Sequence, residues 1–294
     1  MKTSRLNRMK MSTKDRFIGM AFVLPWVVGF LLFTLYPTVF SFALSFNEYQ
    51  LHPDGAVMNW QGLYYYNQVL NVDLNFKLNL SSSLLFVACA SPIVLVFSLI
   101  IAILLNGKYP MRTLFRVVFF MPVIIMSGPV IGRLLSRYTT DFSANSPQIF
   151  QFINAMPGFI GKPVLTILNN LVLILWFSGV QILILLAGLQ KIDPDIYHAA
   201  DIDGAGAWEK FWKITLPFMG PLLLVCALYT VIDVANYANN AVNTQIRNSV
   251  FLTSGLYSFA SAMSWIYFAC ILLLLGVVFV IFTLFTRRRR HDKN

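Results

Sequence analysis

Charge is scarce in this chain. Only 12% of its 294 residues are Asp, Glu, Lys or Arg, against 57% hydrophobic residues and a mean hydropathy of +0.68. That balance excludes a water-soluble globule of this length and leaves a polytopic membrane protein. Nucleotide-binding sequence is also missing: no G-x-x-x-x-G-K-[ST] run occurs, so phosphates cannot be cradled in the usual P-loop manner and any ATP hydrolysis must be borrowed from another chain. The histidines, His52, His198 and His291, stand far apart and offer no metal constellation. No nucleophile motif accompanies them, and Ser81 to Ser83 simply begin a helix, where hydroxyls cap or back-bond. Cys89, Cys226 and Cys270 lie inside apolar stretches without paired spacing and read as packed thiols, not disulfides or metal ligands. No repeat period and no low-complexity linker divides the chain, which reads as one domain.

What is present is long apolar runs. A span needs about 20 apolar residues to cross about 30 Å of hydrocarbon. Six stretches meet this, at about 17–45, 79–106, 114–135, 164–190, 214–236 and 264–286. The fold class is therefore all-α, with six transmembrane helices. Residues 1–16 form a basic leading segment, 17–286 a single membrane domain and 287–294 a basic tail. The first apolar stretch runs well beyond the h-region of a signal peptide and reads as a retained helix. Basic residues stay on the cytoplasmic side. Lys2, Arg5, Arg8, Lys10, Lys14 and Arg16 precede the first span, Lys108, Arg112 and Arg116 follow the second, Lys191, Lys210 and Lys213 follow the fourth, and Arg287 to Arg290 with Lys293 close the chain. Both termini and the 191–217 loop are thus expected inside. The net charge of +10 sits at span ends, without the basic groove or interleaved aromatics of a nucleic-acid binder.

The 191–217 loop is polar yet patterned like folded structure. Asp193 followed by Pro194 supplies an N-cap acceptor and a preset φ at the first helical position. A short helix is expected from there through Ile196, Tyr197, Ala199 and Ala200, ending at Gly204, which adopts the left-handed conformation cheaply. Trp208, Phe211 and Trp212 then stand at i, i+3 and i+4, an aromatic helical face, before Pro217 and Pro221 interrupt the hydrogen-bond ladder. Small residues at Ala199 and Ala200 let another protein approach the helix backbone closely.

This stretch resembles the cytoplasmic loop of bacterial ABC-importer permeases, whose pattern reads E-A-A, two residues, D-G-A, then phenylalanine, isoleucine and L-P at set distances. Ala199-Ala200, Asp203-Gly204-Ala205, Phe211, Ile214 and Leu216-Pro217 fall in register. His198 stands where the family usually has glutamate. Leu24-Pro25, Tyr36-Pro37, Ser45-Phe46, Gly62-Leu63, Tyr66, Phe115-Arg116, Phe119 to Pro122 and Ala187-Gly188-Leu189 are similar to the carbohydrate-importing branch. The family's T-G-G-P turn is missing, because Tyr237 to Gln245 reads Y-A-N-N-A-V-N-T-Q. The resemblance implies a type I importer permease in the bacterial cytoplasmic membrane, moving a sugar, oligosaccharide or glycoside. His198, Ala199, Ala200, Asp203, Gly204, Ala205, Phe211, Ile214, Leu216 and Pro217 would then couple it to ATPase subunits, and ATP and magnesium would sit on those partners, with no cofactor in this chain. A second similar permease, two ATPases and an extracytoplasmic solute-binding protein are the implied partners. The external stretches of about 46–78, 136–163 and 237–263 are too small for a ligand-binding domain of their own.

Intramembrane ionisable and polar groups are costly in hydrocarbon and usually face a cavity or a partner. Arg133 lies near the outer end of the third span and can snorkel. Asp233 sits beside Asn236, Tyr237, Asn239 and Asn240, a set that suits sugar hydroxyls or, equally, a helix-to-helix contact. Trp176 and Gln181 in the fourth span carry the same two readings. Ser91-Pro92, Gly128-Pro129 and Gly132 suggest kinks or close crossings. Three alternatives stay open: a phosphorylated or other non-sugar cargo; an ion-driven secondary transporter, for which midmembrane carboxylates are few; and a membrane scaffold without transport.

Overall fold

A computed structural model describes residues 13–52, 55–107, 171–251 and 256–291. The expected third span, with Arg133, Gly128-Pro129, Gly132 and the 136–163 stretch, lies outside the described residues, as do Lys108, Arg112 and Arg116. The chain divides into two compact units, Met1–Asp73 with Ile246–Ile266, and Leu74–Gln245 with Tyr267–Asn294.

In the first unit, α1 (Thr13–Phe30) runs through a π turn, Leu31–Leu35, into α2 (Tyr36–Leu44). Ile18–Leu44 is long and apolar enough to cross a membrane, and none of its apolar window is buried within the chain. The π turn stands just before Pro37. Proline cannot donate to the carbonyl four residues back and its ring clashes with it, and a wider turn moves that carbonyl aside. The following stretch, read from the sequence only as an external segment, holds a strand pair: β1 (Asn47–His52) and β2 (Gly55–Trp60) form an antiparallel hairpin, paired from Asn47 opposite Trp60 to His52 opposite Gly55. Alternation of side chains along so short and polar a pair carries little periodic signal. The hairpin is anchored by rings: Phe46 stacks on Trp60 at 5.8 Å and meets Phe42 edge-on at 5.1 Å, and Phe42 meets Trp265 at 4.8 Å. Ser45, fully buried, hydrogen-bonds with the Tyr66 hydroxyl at 2.8 Å. The short helix α3 (Tyr64–Asn67) and a second π turn, Gln68–Val72, complete the segment.

The second unit is built on α4 (Leu74–Asn106), α5 (Leu171–Leu189) and α8 (Leu216–Ala235), which pack on one another. Between α5 and α8 lie α6 (Pro194–Ile202), α7 (Ala207–Lys210) and a π turn, Phe211–Thr215. Then come α9 (Ala241–Phe251) and α10 (Tyr257–His291). The buried stripe of α4 is Ser83, Val87, Ser91, Val94, Ser98, Ala102 and Leu105. Small residues at three- and four-residue spacing let helices approach closely in lipid, where no hydrophobic force drives them together. Gly188 shows how close that approach is. A Cβ there would collide with Leu222 and come within 3.1 Å of the Met219 methyl, both on α8. The cluster around this crossing holds Ala102, Leu105, Ile182, Leu185, Leu189, Ile192, Met219 and Leu223.

Four helical stretches among the described residues can cross a membrane by length and composition: Ile18–Leu44, Leu74–Asn106, Ala207–Ala235 and Tyr257–Leu284. Leu173–Leu189 joins them when taken with Pro194–Ile202, although the two are bent by 65°. The ladder expected to be interrupted at Pro217 and Pro221 widens to a π turn ahead of Pro217 and runs on through both. Pro217 falls at the start of α8, behind the π turn that relieves it, and Pro221 is carried inside the helix.

Candidate functional site

The loop between α5 and α8 is folded, and its ends are capped by its own residues. Asp193 is extended, and its Oδ1 accepts the Asp195 amide at 3.0 Å, satisfying a donor left over at the helix start. At the other end the Gly204 amide bonds to the Asp201 carbonyl at 3.1 Å and the Ala205 amide to the Ala200 carbonyl at 2.9 Å. With Gly204 at φ 75° this is a Schellman close, which a residue with a Cβ adopts at a cost. His198, Ala199, Asp201, Ile202, Asp203 and Gly204 are exposed, while Ala200 and Ala205 are half-buried. Ile202 is 88% exposed and so is available to a partner.

Two ties hold this helix to the next segment. Lys210 pairs with Asp201 at the rim. Further in, the Tyr197 hydroxyl lies 2.8 Å from Thr215 Oγ1, and the Tyr197 ring packs on the cluster holding Ile192 and Met219. The expected aromatic face forms: Trp208 meets Trp212 at 5.5 Å, and Phe211 meets Trp212 at 5.2 Å. Phe211 and Ile214 are half-buried, Leu216 packs against the cluster, and Pro217 is exposed.

Of the polar and aromatic residues read as candidates for sugar contact, Gln181 and Asn240 are engaged in helix-to-helix hydrogen bonds. Gln181 is fully buried between α5 and α8, with Nε2 donating to Thr230 Oγ1 at 2.9 Å. The Thr230 hydroxyl itself donates to the Cys226 carbonyl at 2.7 Å, so it can only accept from Gln181, and Gln181 Oε1 has no partner among the described residues. Trp176 is also buried, on α5. Asn240 is a junction: its Oδ1 accepts from the Ser83 hydroxyl and from the Val242 amide at 3.2 Å, and its Nδ2 donates to the Tyr267 hydroxyl at 3.0 Å. Tyr267 donates onward to the Ala235 carbonyl at 2.9 Å. Asn243 caps the end of α8 through the Ala235 and Tyr237 carbonyls, both at 2.9 Å, and Asn79 bonds Gln245 at 2.7 Å. Together these bonds fasten α9 to α4, α8 and α10. Asp233 is half-buried and Asn236 exposed. Tyr237 stands edge-on to Phe177 at 5.8 Å, and burial pushes its hydroxyl pKa up. Ser83, Thr230, Asn243 and Tyr267 carry no sequence signal of their roles, since their partners are set by helix packing.

No protein-family model matches the chain. The probable ABC transporter permease protein YesP of Bacillus subtilis (strain 168) is 28% identical over 285 residues, 91% of this chain and 90% of that protein. The arabinooligosaccharides transport system permease protein AraP of the same organism is 31% identical over 217 residues, 72% of this chain and 66% of AraP. The chain belongs to the carbohydrate-uptake family of ABC-transporter permeases. Its fold agrees with that of a bacterial alginate ABC transporter chain, crystallised in complex with an alginate pentasaccharide-bound periplasmic protein. There the TM-score is 0.64 at 18% identity, covering 93% of this chain and 96% of that one. The permease is a membrane protein, and its relatives are transport subunits.

Proposed function

We propose that this permease forms half of the pathway of an ATP-driven, binding-protein-dependent importer for a sugar, oligosaccharide or glycoside. A second, similar permease completes the pathway, and two ATPase subunits, carrying ATP and magnesium, engage the α6 loop on the cytoplasmic side. An extracytoplasmic protein delivers the cargo. The observation that carries this reading is the α6 helix. It is capped at both ends, bent 65° from α5, and presents small and apolar side chains at the end of a packed bundle. A rigid, seated element of this kind lets closure in one protein bias a two-state arrangement in another. Family membership supports the cargo class, and the periplasmic protein bound to the alginate transporter supports the delivery partner. The basic residues at span ends support cytoplasmic termini.

The test is ATPase activity of the reconstituted complex with co-purified ATPase and candidate binding proteins, across a panel of mono- and oligosaccharides. Stimulation by one glycan together with its binding protein is expected. Stimulation only by a phosphorylated solute would change the cargo, and absence of any ATPase partner would refute the importer.

A further inference from the structure

We propose that Tyr197 is a positioning residue that fastens the loop helix α6 to the π turn at the foot of α8, so that a displacement of α6 is delivered to α8. The inference rests on the α6 loop being the element that receives the ATPase motion. Along α6 the side chains of His198, Ala199, Asp201 and Ile202 are exposed, whereas Tyr197 turns inward onto the buried cluster and reaches Thr215 at 2.8 Å. The backbone between the two helices is a short turn closed by its own Schellman bonds. It runs through Gly204, at φ 75°, and Gly206, and no described residue comes within 4 Å of where a Cβ would stand at either. Side chains supply the ties that reach beyond this turn. The Asp201–Lys210 pair lies at the rim, where water and salt weaken it. The Tyr197–Thr215 bond is shielded, because Thr215 is only 8% exposed.

The point of attachment matters as much as the bond. Thr215 is the last residue of the π turn, in which the Leu216 amide bonds back to Phe211 across five residues. A π turn differs from an α turn by one residue of ladder register, so it is a place where a helix can shift at small cost. Pro217, two residues on, removes one donor that would otherwise lock the register. Tyr197 thus grips the foot of α8 at a break in its α-helical register.

The test uses the assembled complex, with the native cysteines replaced and spin labels placed in pairs at exposed Leu85 on α4, Ile202 on α6 and Val225 on α8, in labelled complexes first shown to keep their ATPase partner and glycan uptake. Distances are measured before and after trapping with magnesium-ATP and vanadate. In the unsubstituted complex both the 85–202 and 85–225 distances are expected to change. Tyr197→Phe and the isosteric Thr215→Val each remove the bond from one side. In either, the 202 label is expected to move as before, while the fraction of complexes in which the 225 label follows falls about two- to tenfold. The double variant is expected to be no worse than Thr215→Val, which loses the shared bond and also the 3.4 Å bond from Thr215 Oγ1 to the Lys210 carbonyl. A 225 response equal to the unsubstituted one in both variants would overturn the role of Tyr197 and leave the loop reading standing. A 202 label that never responds to nucleotide would overturn the loop reading itself.

Discussion

Replacing Gly204 tests the loop through backbone geometry alone. Its φ of 75° lies in the left-handed region, and no atom of the described residues stands within 4 Å of the position a Cβ would occupy. A substitution here therefore meets no steric wall, and its cost is conformational. An L-residue in that region costs about 1–2 kcal/mol, more for a β-branched one and less for asparagine, whose short side chain tolerates it. One or two kcal/mol is a factor of about 5–30 in the population of the closed Schellman turn. If a seated α6 is what conveys ATPase closure, glycan-stimulated uptake should fall in the order Gly204→Asn, Gly204→Ala, Gly204→Val, with the last reduced by about tenfold or more. ATP hydrolysis should fall less than uptake, because the ATPase still binds and turns over while the link to the bundle is loose. Uptake and hydrolysis measured on the same proteoliposomes give the ratio. Equal uptake across the series would refute the reasoning, and so would an asparagine variant as impaired as the valine variant, since that result points to lost partner contact and not to φ.

Three further outcomes follow from the packing. Gln181→Leu removes a buried amide whose Oε1 is unpaired among the described residues and leaves the Thr230 hydroxyl still bonded to the Cys226 carbonyl. Thermal stability in detergent should be unchanged or higher, and a collapse of uptake with stability intact would instead place Gln181 in the pathway. Asn240→Ala strands the Ser83 hydroxyl and the Val242 amide in buried surroundings, which should cost about 1–3 kcal/mol per stranded group, read as a lowered melting temperature. Gly188→Leu forces α5 away from Leu222 and Met219 and should destabilise by about 1–3 kcal/mol, whereas an exposed-face control such as Leu85→Ala should have little effect.

Both the fold class and the loop helix could be read from local rules. Long apolar runs must bond their own backbone in lipid and so become helices whatever their neighbours. Asp193-Pro194 and Gly204 delimit α6 because capping acts over two or three residues. The same rules placed the aromatic face at Trp208, Phe211 and Trp212. They did not announce the π turn Phe211–Thr215, through which the helix runs on past Pro217 where an interrupted ladder was expected, nor that Pro221 is carried inside α8. The hairpin Asn47–Trp60 was missed for a related reason, since its strands are short, polar and held by rings distant in sequence, Trp265 and Tyr257 among them.

The polar residues mark the boundary between what sequence and tertiary structure each decide. By itself the sequence determined that the chain is helical and membrane-embedded, where its loop helix begins and ends, and which few polar groups sit within or beside apolar spans. These are matters of composition, capping and period. Only the tertiary structure decided that Gln181 faces Thr230, that Asn240 binds Ser83 and Tyr267, and that Tyr197 reaches Thr215. A polar side chain in a helix has one appearance in sequence whether it meets solute, lipid headgroup or another helix. Which of these it meets depends on the rotation and crossing of helices, set by close contacts such as that of Gly188 with α8, between residues far apart along the chain.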